Sequence, residues 1–192
     1  FFEQWKQLSK YAKEQGVSII GDIPIYVAMD SADTWANPEL FQLDAQCRPT
    51  AVAGCPPDAF TADGQLWGNP LYRWDVMARD GYQWWLDRIR ASLELFDAVR
   101  IDHFRGFESY YAIPYGEVTA RNGKWVKGPG KGLIAAIKQS FPNVQIIAED
   151  LGFLTQEVKE LLSYSGFPGM KIIQFAFDSR EKSDYIPFKY SR

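Results

Sequence analysis

Metal-binding and disulfide-forming residues are scarce in this chain of 192 residues. It contains one histidine and two cysteines, Cys47 and Cys55, which form no C-x-x-C motif. Structural zinc sites and disulfide frameworks need more ligands or thiols than this, so neither is expected. Free thiols are typical of a reducing compartment, and the cytosol is therefore the expected location.

Long apolar runs and basic clusters are also missing. No stretch approaches the roughly 18 to 20 apolar residues of a membrane span, and no signal-peptide pattern opens the chain. The charges nearly balance, with 21 Lys and Arg against 24 Asp and Glu, and no basic run is present. Because a phosphate backbone attracts clustered positive charge, we expect neither nucleic acid nor a membrane as a partner.

Apolar runs of strand length are abundant instead. Four β-branched runs end in a carboxylate or near one, and they cover residues 17–27, 96–104, 143–152 and 170–178. A segment with helical periodicity precedes each run, and Thr155 and Gly166 are placed to begin and end the last of these helices. The alternation predicts an α/β fold with a parallel sheet whose strands are covered on both faces.

The spacing of the runs predicts part of a (β/α)8 TIM barrel with about four strands present. A βα unit takes about 30 residues and a complete barrel roughly 250. Residues 1–192 are thus expected to be a barrel fragment, with the remaining strands outside the chain. An insertion at about 28–80 contains five of the eleven prolines and three of the seven tryptophans. Its large apolar side chains favour an ordered excursion over the end of the sheet.

The second run carries an arginine and an aspartate two positions apart. Alternate residues of a strand share a face, so Arg100 should lie beside Asp102, with His103 on the opposite face. The guanidinium would lower the pKa of the Asp102 carboxyl, which suits a nucleophile or an electrostatic stabiliser. A structural ion pair is the alternative, although such pairs add little net stability. His103 is expected in the core or behind the site, unless a bulge turns it toward substrate.

The other runs also end in acidic residues. Glu149 follows apolar residues, which should raise its pKa toward that of a general acid. Neighbouring strands lie about 4.8 Å apart, so Asp102 and Glu149 can approach the roughly 5 to 5.5 Å separation of a retaining glycosidase pair. Asp22 either reaches the site or anchors the loop before Pro24. Asp178 either reaches the same mouth or caps a helix.

Aromatic residues, which make up 16% of the chain, concentrate in the segments that follow the first two strands. Aromatic faces and short polar groups suit the apolar faces and hydroxyl rims of sugars, and loop packing explains part of the set. The residues in question are Trp35, Phe60, Trp67, Tyr72, Trp74, Phe107, Tyr110, Tyr111 and Tyr115, with Asp58, Asn69 and Ser109 as polar groups.

Four segments together resemble one enzyme family. They read GDIPIYVAMDSADTW, CPPDAFTADGQLWGNPLYRW, VRIDHFRGF and IIAEDLG. They are similar to glycoside hydrolase family 77 of the α-amylase clan, the 4-α-glucanotransferases or amylomaltases, and the likeness extends through nearly the whole chain. The resemblance implies a (β/α)8 barrel and transfer of α-1,4-glucan segments between acceptors with retention. Maltooligosaccharides and α-1,4-glucans are then the expected partners, without a cofactor or a metal ion.

The same resemblance suggests roles for individual residues. Asp102 is expected to be the nucleophile, Glu149 the acid/base and Arg100 the partner of the nucleophile. Substrate-binding roles are expected from this resemblance for Asp22, Asp58, Trp67, Asn69 and Asp178, and His103 joins them where a bulge turns it toward substrate. The family's third catalytic aspartate lies in a His-Asp-Asn motif that this chain does not contain. The expected compartment is the cytosol, or the plastid stroma.

Three other functions stay open at this point. Asp22, Asp102 and Glu149 could hold Mg²⁺ in a metal-dependent barrel enzyme, although Arg100 would repel a second cation. A glucan-binding protein without activity would need only the aromatic loops. A hydrolase of the same clan would differ only in using water as the acceptor.

Overall fold

The computed structural model describes residues 1–59, 61–152, 154–177 and 185–189. The helices are α1 (Phe2–Glu14), α2 (Ala32–Ala36), α3 (Trp74–Met77), α4 (Gln83–Leu93), α5 (Lys131–Ser140) and α6 (Gln156–Ser165). The strands are β1 (Ile20–Ile23), β2 (Ala51–Cys55), β3 (Gln65–Pro70), β4 (Ala98–Ile101), β5 (Ser109–Pro114), β6 (Lys124–Lys127) and β7 (Ile146–Ala148). Short 3₁₀ helices cover Pro38–Leu40, Ala78–Asp80, Phe104–Phe107, Ile173–Phe177 and Pro187–Lys189.

The chain has a mixed α/β fold with two sheets. A parallel sheet has the order β1-β4-β7, which confirms the parallel pairing predicted for the first three apolar runs. In its register Arg100 lies opposite Asp22 on one side and opposite Ile147 on the other. Charged side chains of neighbouring strands are therefore held at the same height.

Only one face of the parallel sheet is covered within the described residues. Ile23, Val99 and Ile101 are buried and join a core that includes residues of α4, α5 and α6. The opposite face carries Asp22, which is exposed, and Arg100, which is partly buried. The expectation that both faces of these strands are apolar does not hold at Asp22 and Arg100, because charged side chains require polar partners or water.

The predicted helices are confirmed. The segments preceding the first three strands of the parallel sheet form α1, α4 and α5. Thr155 occupies the N-cap position directly before α6, and Gly166 ends the helix in the left-handed conformation at φ 72°. A left-handed residue after the last turn is a common way to stop a helix, and glycine adopts it without strain. Among the described residues, no helix is long and apolar enough to cross a membrane.

The fourth predicted strand is wrong over the described part of residues 170–178. Residues Ile173–Phe177 form a 3₁₀ helix, and Ile173, Phe175 and Phe177 are exposed. A parallel strand needs a paired neighbour and a covered face. Ala148 N–H donates to the Pro168 carbonyl at 2.9 Å, but the described residues after it join no strand of the parallel sheet.

The insertion at 28–80 is ordered, as predicted, but it is also part of a sheet that the sequence did not predict. Its strands β2 and β3 combine with β5 and β6 in an antiparallel sheet of order β3-β2-β5-β6. Tyr72 is 1% exposed and packs in the main core, and its hydroxyl donates to the Ile25 carbonyl at 2.7 Å. This hydrogen bond joins the insertion to the loop that follows β1.

Candidate active site

Arg100 on β4 joins two aspartates at the open face of the parallel sheet. Its Nη1 donates to Asp22 Oδ1 and its Nη2 to Asp102 Oδ1, both at 2.7 Å. The prediction that Arg100 and Asp102 share a face is confirmed. Partial burial tends to lower the Arg100 pKa, but the bonds to the two carboxylates outweigh this effect and the pKa lies above its ordinary value. Both carboxylates remain substantially exposed, which leaves them accessible to a ligand.

Asp102 and Glu149 are the first residues after β4 and β7. Because Ile101 and Ala148 are register partners, the two acidic residues lie at matching heights at the ends of neighbouring strands. The ladder continues past the strands: Glu149 N–H donates to the Ile101 carbonyl at 3.0 Å. Parallel neighbours lie about 4.8 Å apart, so two carboxylates are brought to one edge of the sheet.

The Glu149 carboxylate is held by backbone donors. His103 N–H donates to Oε2 and Leu151 N–H donates to Oε1, each at 2.8 Å. The sequence did not predict these two backbone donors. The loop after β4 turns back over the end of β7, and its peptide groups become the neighbours of Glu149.

His103 leaves the strand geometry on which its predicted direction depended. Strand β4 ends at Ile101, and His103 is left-handed with φ 53° and ψ 49°. Its ring packs edge-on against Trp67, with centroids 4.9 Å apart and planes at 90°. Burial lowers the His103 pKa to about 4, although the nearby Asp102 charge opposes that shift. Within the described residues, buried Nε2 has no hydrogen-bond partner.

The residues predicted from the insertion lie at different depths. Trp67 is 36% exposed and its Nε1 donates to Gln65 Oε1 at 2.9 Å. Asn69 Nδ2 donates to the Val27 carbonyl at 2.9 Å, so β3 is joined to the loop after β1. Asp58 is exposed and its Oδ1 accepts the Thr61 N–H at 2.8 Å. The structure thus brings Trp67 beside His103, whereas Asn69 and Asp58 shape the backbone around it.

The Cys55 thiol lies close enough to Asp58 and Glu149 for both charges to affect its pKa. Burial raises the pKa of its thiol to about 11; the nearby Arg105 lowers it, while the charges of Asp58 and Glu149 raise it further. A thiol with so high a pKa stays protonated at neutral pH and is a weak nucleophile. Its influence on the site is therefore that of a small half-buried group at the end of β2.

Sequence reasoning missed two residues that contact the site. Met170 accepts a hydrogen bond on Sδ from Arg100 Nε at 3.1 Å. Asp150 is buried, and its Oδ1 accepts the Met170 N–H at 2.7 Å. The position of Asp150 directly after Glu149 was the available signal. Asp178 and Phe60, two further predicted residues, lie outside the residues that the structure describes.

The aromatic set divides between core and surface. Tyr72, Phe107, Tyr110 and Tyr111 are buried, whereas Trp35 and Tyr115 are exposed. Trp67 combines partial exposure with contact to a residue beside Asp102. Of the predicted aromatic residues that the structure describes, Trp67 is the one whose ring contacts His103, the neighbour of Asp102.

Metal coordination does not fit the observed arrangement. In the ranges that the structure covers, no group of three His, Cys, Asp or Glu side chains is placed to hold a metal ion. The guanidinium of Arg100 contacts both Asp22 and Asp102, the carboxylates that a cation would require.

Acidic residues at the carboxyl ends of adjacent parallel strands, with an aromatic side chain beside them, are features of glycoside hydrolase folds. The chain belongs to glycoside hydrolase family 77: the family model described as 4-alpha-glucanotransferase matches residues 1–192. A 4-alpha-glucanotransferase of Clostridium butyricum is 53% identical over 193 residues, covering 100% of this chain and 40% of the relative. That of Streptococcus pneumoniae serotype 4 is 57% identical over 183 residues, covering 95% of this chain and 36% of the relative.

Solved structures give the same result. An amylomaltase from Streptococcus agalactiae, solved in complex with acarbose, has a TM-score of 0.95 and 46% identity, covering 100% of this chain and 39% of that one. An amylomaltase from Corynebacterium glutamicum has a TM-score of 0.77 at 24% identity, which bears on the fold alone. The chain therefore spans about two fifths of the length of its first relatives.

Proposed function

We propose that this chain carries the nucleophile and the acid/base of a retaining 4-α-glucanotransferase. The enzyme would move α-1,4-glucan segments to the 4-hydroxyl of a glucose or glucan acceptor. The observation that carries the proposal is the position of Asp102 and Glu149 at matching heights on neighbouring strands, in a member of family 77. The acarbose complex of the Streptococcus agalactiae neighbour supports an oligosaccharide as the ligand.

In the first displacement, Glu149 protonates the glycosidic oxygen while Asp102 attacks the anomeric carbon. The bond to the leaving segment breaks and a bond to a carboxylate oxygen of Asp102 forms. The leaving segment departs with the proton of Glu149, which becomes a carboxylate. Neighbouring strand ends favour this double displacement, because an inverting enzyme needs a wider gap for water.

In the second displacement, the acceptor replaces the leaving segment. The Glu149 carboxylate removes the proton of the acceptor 4-hydroxyl, and that oxygen attacks the anomeric carbon. Asp102 leaves as a carboxylate, and configuration is retained. One glycosidic bond is exchanged for another, so the step balances without a further reactant.

Arg100 would hold the geometry of both displacements. Its guanidinium bonds Asp102 on one side and Asp22 on the other at 2.7 Å, which would orient the Asp102 carboxylate. Asp22, whose side chain is 60% exposed, would bind sugar hydroxyls close to the point of cleavage.

A glucan groove is proposed along the insertion. Trp67 would offer the exposed part of its ring to the apolar face of a sugar, and His103 lies directly behind that ring. Asp58, Asn69 and Asp178 would supply polar contacts along the same groove. Loops that hold the acceptor and exclude water would favour transfer over hydrolysis.

We infer that residues 1–192 form one part of a (β/α)8 barrel, in which β1, β4 and β7 are consecutive strands of the wall. Family membership and the 36 to 40% coverage of the relatives support this inference. The remaining strands, and the third catalytic aspartate, would then lie outside this chain. Tests of activity therefore use the parent polypeptide, meaning the complete translation product that contains residues 1–192.

The compartment is proposed to be the cytosol or the plastid stroma. Relatives come from bacteria such as Clostridium butyricum, and a Solanum tuberosum relative at 47% identity is named chloroplastic/amyloplastic. Fractionation of the source cells, followed by immunodetection of the parent polypeptide, tests this.

The decisive experiment is incubation of the parent polypeptide with maltotriose. Glucose together with oligomers longer than maltotriose is expected, and Asp102→Asn and Glu149→Gln should each abolish both products. Asp87→Asn, on the exposed face of α4, is the matched control and should leave both unchanged.

Other outcomes identify the alternatives. Glucose and maltose without longer oligomers would indicate a hydrolase, and activity lost with a chelator would indicate a metal enzyme. Glucan binding without any product would indicate a binding protein. Substantial transfer by Asp102→Asn would contradict the assigned nucleophile.

A further inference from the structure

His103 has a left-handed backbone conformation, which is uncommon for residues other than glycine. It lies at φ 53° and ψ 49°, between Asp102 and the 3₁₀ helix Phe104–Phe107. For residues other than glycine this left-handed region costs free energy, and asparagine tolerates it better than most. Such strain persists only where surrounding contacts enforce it.

The left-handed conformation lies between two hydrogen bonds to the neighbouring acidic residue. The His103 N–H donates to Glu149 Oε2 at a donor–acceptor distance of 2.8 Å, and the φ and ψ of His103 direct the following peptide group back toward the same residue. The next residue reinforces the arrangement, because Phe104 N–H donates to the Glu149 carbonyl at 3.0 Å. One turn of backbone therefore links the residue after Asp102 to both the side chain and the main chain of Glu149.

The imidazole packs against Trp67, with ring centroids 4.9 Å apart, and Gly106 leaves room beside it. A Cβ at position 106 would stand 3.4 Å from His103 Cδ2 and 2.5 Å from Ile25 Cδ1, so only glycine leaves this space free. Gly106 N–H also donates to the His103 carbonyl at 2.9 Å. The ring thus keeps the backbone in its strained conformation.

We propose that His103 is a positioning residue that acts on the reaction through its backbone N–H, which sets the direction of the Glu149 carboxylate. The imidazole serves to hold that backbone conformation and need not touch the substrate. This inference rests on the proposed acid/base role of Glu149. It differs from a substrate-binding role, in which the ring itself would be required.

Two matched pairs of variants in the parent polypeptide test the proposal. His103→Gly and His103→Ala both remove the ring, but only glycine adopts the left-handed conformation freely. His103→Asn and His103→Gln carry the same amide, but asparagine is the one enriched in that conformation. The expected result is a kcat about tenfold higher for Gly than for Ala, and higher for Asn than for Gln, since the competent conformation is populated more fully. KM for maltotriose should stay within about twofold across the four variants.

Equal kcat within each pair, or a KM raised similarly in all four variants, would overturn the proposal and indicate that the ring contacts substrate. Each pair decides independently, so the proposal remains testable if His103→Ala does not fold. The same substitutions to Gly, Asn and Ala at Cys47, an exposed residue at φ 57°, are the control and should leave kcat unchanged. Full activity of Glu149→Gln would instead contradict the proposed function, whatever the His103 variants show.

Discussion

Nη2 of Arg100 lies 2.7 Å from Oδ1 of Asp102, and the same guanidinium reaches Asp22 on the neighbouring strand at the same distance. The first contact follows from strand periodicity, because positions 100 and 102 share a face. The second follows from register, because Asp22 is the parallel partner of Arg100. A planar fork suits this bridge, since its nitrogens point in fixed directions.

Replacing the guanidinium of Arg100 should therefore impair activity more than stability. In Arg100→Lys, a single ammonium cannot reach both aspartates in these directions, and we expect kcat/KM to fall by roughly 100-fold. The melting temperature should change little, because the ion pairs are partly exposed and solvent screens them. Steady-state kinetics with maltotriose and thermal unfolding of the parent polypeptide measure the two effects. Arg90→Lys, in an exposed pair with Asp87, is the control, and comparable losses in both variants would refute the bridge.

His103 should make stability depend on pH. Burial holds its folded-state pKa at about 4, whereas the unfolded chain titrates at about 6.5. Between these values the unfolded state binds more protons, so stability is fully present above about pH 6.5 and falls as the pH drops toward 4. Between about pH 7 and pH 5 the loss should be about 2 kcal/mol more for wild type than for His103→Asn. Urea unfolding at both pH values measures it, and an identical pH dependence of the two proteins would contradict a buried neutral histidine.

The Tyr72 hydroxyl should contribute to stability rather than to catalysis. It donates to the buried Ile25 carbonyl at 2.7 Å and accepts from Arg88 Nη1 at 3.4 Å. Tyr72→Phe is expected to lower the free energy of unfolding by about 1 to 2 kcal/mol with kcat unchanged. The control is Tyr115→Phe, at a residue that is 57% exposed, and it should alter stability by less than about 0.5 kcal/mol. Equal effects of the two substitutions would mean that the buried bond contributes nothing.

Trp67 should influence the site both as a sugar platform and as a support for His103. Trp67→Ala removes both functions, and we expect kcat/KM for maltotriose to fall at least about tenfold, with more hydrolysis relative to transfer. Trp67→Phe retains an edge-on ring beside His103 and should lose less. Trp35→Ala, at an 86% exposed tryptophan, is the matched control. Product ratios from chromatography decide, and an unchanged transfer ratio in Trp67→Ala would exclude a role in shielding the site from water.

The parts of the fold that sequence reasoning predicted are those with a local or periodic cause. Helix α6 ends at Gly166 because the left-handed preference of glycine acts within a few residues, and Thr155 occupies the predicted N-cap position without a side-chain capping bond. The fourth apolar run shows the limit. It has the composition of a strand, but Ile173–Phe177 is a 3₁₀ helix, because strand formation depends on partners elsewhere.

The candidate site divides in the same way. Arg100 and Asp102 could be placed together from their spacing, and Glu149 from its position after an apolar run. Met170 and Asp150 could not be placed in this way. The contacts of Met170 with Arg100 and with Asp150 depend on a loop that returns to the sheet. The antiparallel sheet was missed for a related reason: β2 pairs with β5, which lies more than fifty residues away along the chain.

The sequence by itself determined the parallel pairing of β1, β4 and β7, the helices between these strands and the position of Asp102 and Glu149 at the strand ends, because periodicity is a property of the order of residues. Only the tertiary structure decided the environment of that pair. Glu149 accepts hydrogen bonds from two peptide N–H groups, one of them from His103, where the chain after β4 turns left-handed. His103 in turn packs against Trp67 of a distant strand, and a contact between residues so far apart has no local pattern in the sequence.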